Sequence, residues 1–108
     1  MERQNLCGPV YEREKDVLYI RLPEDFDHYS SRNIKVETEA LIEAAGIRNI
    51  IFDFSRTEFM DSTGIGIILG RYKRMQFIGG NVYVWRINPH IRRMLAAAGI
   101  LELMEELQ

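Results

Sequence analysis

Two adjacent hydroxyl side chains, Ser62 and Thr63, stand where an apolar run gives way to a helical pattern. Residues 50–54 are almost all apolar and predict a buried strand, whereas residues 65–77 have helical periodicity. The first turn of a helix offers free amide groups and the positive end of the helix dipole, which favour an anion. A phosphoryl group on Ser62 would therefore be tolerated, although the neighbouring Asp61 opposes its charge.

The glycines that follow Ser62 resemble a dinucleotide-binding loop only superficially. Gly64, Gly66 and Gly70 have the spacing G-x-G-x-x-x-G, one residue longer than the dinucleotide fingerprint, and they lie in the middle of the chain. No G-x-x-x-x-G-K-[ST] phosphate loop occurs in the sequence. Since Gly66 and Gly70 are one helical turn apart, we expect them to let the helix approach a neighbouring element closely.

Catalysis by Ser62 has little support in the sequence. His28 with Asp27 or Asp61 could complete a triad, but the G-x-S-x-G elbow is missing. His28 and His90 have no partner at metal-ligand spacing, so we predict neither a metal site nor a catalytic residue. From the residues alone, two interpretations of Ser62 stay open: a modification acceptor, or an ordinary helix cap in which Ser62 or Asp61 serves.

Four apolar segments predict the strands that position these residues. Residues 10–14 and 17–22 are both strand-like, and in the second segment Leu18, Ile20 and Leu22 alternate with Val17, Tyr19 and Arg21. The polar break at 14–16 between them predicts an N-terminal hairpin. Residues 49–54 predict a strand covered on both faces, and residues 82–85 predict a further strand. The segment 23–29 between the hairpin and the first helix is interpreted as a loop.

Four helices are expected between and after these strands. The first is capped by Ser30 or Ser31 and ends at Gly46, and the second runs from near Ser62 to Gly79-Gly80. In the second helix, Arg71, Lys73 and Arg74 are assigned to the outer side. Asn88-Pro89 starts the third helix, Gly99 ends it, and the spacing of Leu101, Met104 and Leu107 predicts a short terminal helix.

The order β-β-α-β-α-β-α-α predicts an α/β fold with a mixed, mostly parallel sheet in one domain over residues 1–108. The net charge of −2 comes from well-mixed charges, which argues against nucleic acid and anionic membranes as partners. No apolar run approaches the roughly 20 residues of a membrane span, and no signal peptide is evident, so we expect a cytoplasmic protein. Cys7 is the only cysteine, which excludes an internal disulfide.

The segment FMDSTGIGIILGRYK, residues 59–73, resembles the signature of the bacterial STAS-domain anti-sigma factor antagonists, most closely those of the sporulation type. The strand at 18–22 followed by Phe26-Asp27-His28 is similar to the family's second strand and its L-D-H-H-type loop. Ile78-Gly79-Gly80 and the strand at 82–85 also correspond. The resemblance therefore covers essentially the whole chain and implies a single STAS domain.

This resemblance implies a regulatory binding protein that is a substrate rather than an enzyme. In the family, the serine after the aspartate is phosphorylated by the anti-sigma factor, a serine kinase, and the matching residue here is Ser62. ATP and Mg²⁺ then belong to that partner, and this chain has no cofactor. The unphosphorylated protein binds the anti-sigma factor and releases the sigma factor, phosphorylation ends the binding, and a serine phosphatase resets it. The implied partner contacts are Asp27, Asp61, Thr63, Gly64 and Ile65, with His28 as a weaker candidate.

Two departures from the family pattern fall in the implied contact loop. Glu24 stands where the family usually has glycine, and Tyr29 replaces a common second histidine. Both changes concern partner specificity rather than the fold. An alternative role within the same fold is a STAS adaptor subunit of a transporter or of a stress-signalling scaffold.

Overall fold

A computed structural model describes residues 8–108, and these form seven strands and four helices. Cys7 lies outside the described residues. The strands are β1 (Val10–Glu14), β2 (Val17–Arg21), β3 (Asp25–Phe26), β4 (Asn49–Asp53), β5 (Phe59–Met60), β6 (Asn81–Trp85) and β7 (Glu105–Leu107). The helices are α1 (Ile34–Ala45), α2 (Ser62–Phe77), α3 (Pro89–Ala97) and α4 (Ile100–Leu103).

The main sheet has five strands in the order β1-β2-β4-β6-β7. β1 is antiparallel to β2, and every other neighbouring pair is parallel. The hairpin turns at Lys15, which has a left-handed φ of 57°. The predicted α/β architecture, with a mostly parallel sheet and a mixed N-terminal edge, is thus confirmed.

One face of this sheet carries the hydrophobic core. Alternate residues of β2, β4 and β6 on that face are buried, and they form one cluster with buried side chains of the helices. Burial of each such side chain contributes about 1.5–3 kcal/mol. The cluster includes Leu18, Ile20, Ile50, Phe52, Val82 and Val84 from the sheet, and Ile34, Ile68, Met75, Ile91 and Leu95 from the helices.

The opposite face of the sheet, here called the outer face, is centred on Tyr19, Ile51, Tyr83 and Trp85. These residues lie outside the core cluster, and apart from Ile51 they are only partly buried. Ile51 is shielded by its cross-strand neighbours Tyr19 and Tyr83. The prediction that strand 49–54 is buried on both faces is confirmed for Ile51 and Asp53, but neighbouring side chains bury them, and no helix within residues 8–108 covers the outer face.

The predicted terminal helix is mostly wrong. Only one turn, α4, is helical, and Met104 then adopts extended backbone angles (φ −122°, ψ 142°). Residues of β7 pair with β6, so that Tyr83 faces Glu105 and Trp85 faces Leu107. Backbone pairing along the free edge of β6 outweighs continuation of a short terminal helix, whose isolated form is marginal.

The start of α1 also differs from the prediction. Asn33, not Ser30 or Ser31, is the cap residue, and its side chain makes no capping hydrogen bond. Ser30 is instead engaged in the preceding loop, where its Oγ donates to the Asp25 carbonyl at 2.6 Å. At the other end, Gly46 takes the left-handed conformation (φ 65°) that was expected of a helix terminator.

Arg71 was assigned to the outer side of α2, but only 5% of the residue is exposed. Its Nη1 donates to Glu39 Oε1 of α1 at 2.9 Å, and Arg74 Nε donates to Glu39 Oε2 at 2.7 Å. A charge at this depth requires a partner, and Glu39 supplies it. These ion pairs fix α2, and with it Ser62 at its start, against α1.

Candidate functional site

Asp61 is the N-cap of α2. Its backbone is extended (φ −117°, ψ −174°), and its Oδ1 accepts hydrogen bonds from the Thr63 amide at 2.9 Å and the Gly64 amide at 3.2 Å. Ser62 is the first helical residue and is exposed. Of the two cap assignments left open by the sequence, the structure therefore selects Asp61.

This cap changes the expected environment of an anion on Ser62. Two amides of the first turn, which the sequence suggested as anion ligands, already bind the Asp61 carboxylate. A phosphoryl group on Ser62 would lie beside that carboxylate and gain mainly from the helix dipole, worth about 0.3–1 kcal/mol at a surface. The helix start therefore accommodates a phosphoryl charge, but the Thr63 and Gly64 amides are not free to donate hydrogen bonds to it.

A two-stranded parallel sheet links the segment before α2 to the segment after β2. In it, Asp25 of β3 faces Phe59 of β5, and Phe26 faces Met60. Phe26 and Met60 are both buried and anchor the pair to the core. These strands were not predicted from the sequence, because segments of two residues show no periodicity.

The small β3–β5 sheet brings together the two predicted contact carboxylates. Asp27 follows β3 and Asp61 follows β5 at the same end of the pair, and the Asp61 amide donates to the Phe26 carbonyl at 3.4 Å. Adjacent strands are about 4.8 Å apart, so the two residues lie on one surface. Thirty-four residues of chain separate them, and pairing of the two short strands closes that distance.

The Asp27 loop is held by its own hydrogen bonds. Asp27 Oδ1 accepts from the amides of Tyr29 and Ser30, both at 3.0 Å, and the Asp27 amide donates to Ser30 Oγ at 3.0 Å. The Ser30 amide is the main reason that the pKa of Asp27 lies below its usual value. The carboxylate is therefore ionised at neutral pH, and the loop has one defined shape.

Gly64 is the glycine that allows a close approach. A Cβ atom at this position would lie 2.8 Å from the Phe26 carbonyl oxygen and 3.0 Å from Met60 Cγ. The expectation that Gly66 and Gly70 serve this purpose is wrong, since a Cβ on either would meet no atom within 4 Å. Gly64 is buried, so its position explains how α2 can begin directly against β3; its contact with a partner stays a prediction.

Exposed apolar side chains occur in the two segments that carry the aspartates. Tyr29 is 73% exposed and lies two residues after Asp27, and Phe59 is 49% exposed and lies two residues before Asp61. Thr63 and Ile65 are partly buried on the first turn of α2. We define the Ser62 surface as Asp27, Tyr29, Phe59, Asp61, Ser62 and Ile65, which combines two carboxylates with apolar side chains.

Neither a catalytic triad nor a metal centre is assembled in residues 8–108. No side-chain hydrogen bond in this range involves the Ser62 hydroxyl, and the His28 ring packs edge-on against Tyr29 at 5.9 Å between centroids. No group of three or more His, Cys, Asp or Glu side chains within the same range could hold a metal ion. Across that part of the chain, no helix combines the length and apolar character that crossing a bilayer requires.

Comparison with known proteins gives a consistent family. The STAS domain family matches residues 8–108. The chain is similar to the anti-sigma F factor antagonist of Paenibacillus polymyxa, with 33% identity over 93 residues, covering 86% of this chain and 80% of the relative.

Solved structures of an antagonist in two states are also similar. The unphosphorylated form of the anti-sigma factor antagonist SpoIIAA matches with a TM-score of 0.83 and 26% identity, over 93% of this chain and 88% of that one. The phosphorylated form of the Bacillus cell fate determinant SpoIIAA matches with a TM-score of 0.76 and 26% identity, over 93% of this chain and 91% of that one. The chain therefore belongs to the STAS-domain family and, within it, to the anti-sigma factor antagonists.

Proposed function

We propose that this protein is a phosphorylation-controlled antagonist that, when unphosphorylated, binds a cognate anti-sigma factor with serine-kinase activity. Binding releases the sigma factor held by that anti-sigma factor, phosphorylation of Ser62 ends the binding, and a serine phosphatase restores it. The protein acts as a substrate, not as an enzyme, and works in the cytoplasm. The observation that carries this proposal is the exposed Ser62 at the start of α2, next to Asp61 and near Asp27, the residues that follow the paired strands β5 and β3.

The position of Ser62 suits a kinase substrate. Its residue is exposed, and its hydroxyl forms no side-chain hydrogen bond within residues 8–108 that a kinase would have to break. Asp61 already satisfies two amides of the helix start, so the first turn does not depend on the serine side chain. Phosphorylation would therefore leave the fold of α2 intact. The kinase supplies the base, ATP and Mg²⁺ for phosphoryl transfer.

The same geometry explains how phosphate would switch binding off. A phosphoserine adds about −1.5 to −2 charge to a surface that already carries Asp27 and Asp61. A partner that covers this surface must remove water from the added charge, and burial of an unpaired charge costs several kcal/mol. The change acts on the potential of the Ser62 surface, with little change in backbone structure.

The proposed contacts divide into two classes. Asp27 and Asp61 each direct one oxygen to the local backbone, which leaves the other carboxylate oxygen for a donor on the partner. Thr63 and Ile65 are partly buried, and the exposed part of each side chain is available to a partner. The exposed Tyr29 adds an apolar contact two residues after Asp27. We propose that Tyr29 and the nearby Glu24 adjust partner specificity.

Mapping of the phosphorylated residue tests the proposal. The protein is incubated with the anti-sigma factor kinase of the same organism and Mg-ATP, and the modified peptide is identified by mass spectrometry. Phosphate is expected on Ser62 in the unaltered protein and in the Thr63→Ala control, and none on Ser62→Ala. Phosphate on Thr63, or full modification of Ser62→Ala, would refute the site assignment.

A role as an adaptor subunit of a transporter or scaffold is the alternative. It requires stable association with that assembly and no loss of association upon phosphorylation of Ser62. Sigma-dependent transcription in vitro separates the two roles: the unphosphorylated protein relieves inhibition by the anti-sigma factor if it is an antagonist, and has no effect if it is an adaptor.

A further inference from the structure

The outer face of the sheet is an ordered surface that the proposed switch does not use. Cross-strand register places Tyr19, Ile51 and Tyr83 in one row, flanked by Glu12 on β1 and Glu105 on β7. Directly opposed residues on neighbouring strands share a face, so all five side chains belong to the outer face. Across the five strands, this row has an acidic residue at each edge and three apolar or aromatic residues in the middle.

A second row strengthens the apolar centre. Trp85 and Leu107 are neighbours in register, and with Tyr19 and Ile51 they line a hollow of about 270 Å³. The rings of Tyr19 and Trp85 have centroids 6.4 Å apart, although their strands are separated by β4. Since no helix within residues 8–108 covers this face, its aromatic side chains form a contiguous apolar patch, and such patches mark interaction surfaces.

The charged groups beside Trp85 are already engaged with one another. Asp53 Oδ2 accepts from Arg86 Nη2 at 2.9 Å and from Arg21 Nε at 3.4 Å. The Arg86 guanidinium also lies over the Trp85 ring, 3.9 Å from its centroid. Arg86 is held in the left-handed region (φ 59°), a strained backbone conformation for a side chain of this kind. The cluster therefore keeps Trp85 fixed and contributes one net positive charge.

The remaining charges of the outer face are acidic and lie at both edges. Glu12 and Glu14 are exposed on β1, and Glu105 is exposed on β7. Among residues 8–108, three carboxylates against the single net positive charge of the Asp53 cluster give the face a net charge of −2. Each edge is about 10 Å from β4, because neighbouring strands are about 4.8 Å apart.

We propose that the outer face binds an amphipathic helix of a partner protein that carries basic residues on both sides of its apolar stripe. A helix is about 10–12 Å wide with its side chains, so one lying along β4 covers Tyr19, Ile51 and Trp85. Its flanking lysines or arginines then reach Glu12 on one edge and Glu105 on the other. Helices cover both faces of most parallel sheets, and the partner helix supplies the layer that residues 8–108 do not form on this face.

Trp85 is the only tryptophan and reports directly on this face. The probe is a stapled peptide of about 14 residues, roughly 21 Å long as a helix, with a leucine stripe and lysines on both flanks. The matched peptide has glutamates in place of the lysines. The lysine peptide is expected to change Trp85 fluorescence at low ionic strength and to bind at least about tenfold more tightly than the glutamate peptide.

Charge reversal at the two edges is the decisive comparison. Glu12→Lys combined with Glu105→Lys should weaken binding of the lysine peptide about tenfold and favour the glutamate peptide. Glu102→Lys, an exposed reversal on α4, is the control and should leave the affinity unchanged. Circular dichroism of each variant establishes that the fold is retained.

Three results would overturn the proposal. They are equal binding of the two peptides, unchanged binding after both edge reversals, and a dimer of the protein alone that shields Trp85, which would assign the face to a second copy. Phosphorylation of Ser62 by the kinase is measured in the same variants. It should be unaffected, so failure of this proposal is distinguishable from failure of the proposed switch.

Discussion

Replacement of Gly64 by alanine tests how α2 is positioned at the start of the site. The added methyl group would lie 2.8 Å from the Phe26 carbonyl oxygen, 3.0 Å from Phe26 Cδ2 and 3.0 Å from Met60 Cγ. The carbonyl belongs to β3, so relief of the clash requires a shift of backbone and not merely of a flexible side chain. The expected shift separates the start of α2 from the Asp27 loop.

The magnitude follows from two opposing effects. Overpacking of a buried position costs about 1–3 kcal/mol. Alanine in place of glycine in a helix recovers about 0.5–1 kcal/mol. We therefore expect Gly64→Ala to lower the free energy of unfolding by about 1–2 kcal/mol.

Gly66 and Gly70 provide matched controls in the same helix. A Cβ at either position meets no atom within 4 Å, so only the gain in helix propensity remains. Gly66→Ala and Gly70→Ala are each expected to raise the free energy of unfolding by about 0.5–1 kcal/mol.

Urea unfolding, followed by circular dichroism, measures all three variants. With a slope of about 1–3 kcal/mol per molar urea for a domain of this size, the Gly64→Ala midpoint should fall by roughly 0.3–2 M, and the two control midpoints should rise. If Gly64→Ala were as stable as Gly66→Ala, the close approach of α2 to β3 would be refuted.

Substitutions of three carboxylates, with two control variants, test the charged groups around the site and the sheet. Asp61→Ala should cost about 1 kcal/mol in urea unfolding, whereas Asp61→Asn retains the capping oxygen and should cost less. Burial raises the pKa of Asp53, but hydrogen bonding by the Ser55 amide and the charge of Arg86 outweigh it, so this pKa lies below the ordinary 3.8. The stabilisation by ionised Asp53 is therefore present above pH 3.8 and is lost as the pH falls through the lowered pKa. Asp53→Asn should therefore reduce the pH dependence of the free energy of unfolding, measured between about pH 7 and pH 3. Glu39→Gln should destabilise the protein by about 1–3 kcal/mol, because Arg71 is left buried without its carboxylate, and the exposed Glu43→Gln should change stability by less than about 0.5 kcal/mol.

The long elements were predictable from the sequence because local signals agree with tertiary structure. Asn88 caps α3 through a 2.8 Å hydrogen bond from the Ile91 amide, with proline at the first position, as the Asn-Pro pair indicates. Gly46 and Gly79 end their helices with left-handed backbones. The alternation in β2 likewise indicated the buried face that holds Leu18 and Ile20.

The elements that were missed depend on contacts between distant parts of the chain. β3 and β5 have two residues each and exist because they pair with one another across 34 residues. The apolar spacing of Leu101, Met104 and Leu107 is compatible with a helix, but pairing with β6 makes residues 105–107 a strand. Arg71 is buried because Glu39, 32 residues earlier, is placed opposite it.

The candidate site also combines features that the local sequence predicts with features that depend on distant contacts. Its residue types and the position of Ser62 could be predicted from the segment 59–73, whereas the position of Asp27 near Asp61 depends on the β3–β5 sheet. The sequence also assigned the close approach to Gly66 and Gly70. Helical spacing alone cannot tell which glycine meets a neighbour, and the structure assigns this role to Gly64.

The central claim is that phosphate on Ser62 controls binding of the anti-sigma factor. The direct measurement is the affinity of the purified anti-sigma factor for the unphosphorylated protein and for protein carrying phosphate at Ser62 only, by calorimetry in one buffer. We predict at least about a tenfold weaker complex for the phosphorylated form, since the added charge lies next to Asp61 on the proposed contact surface. Equal affinities for the two forms would contradict the account.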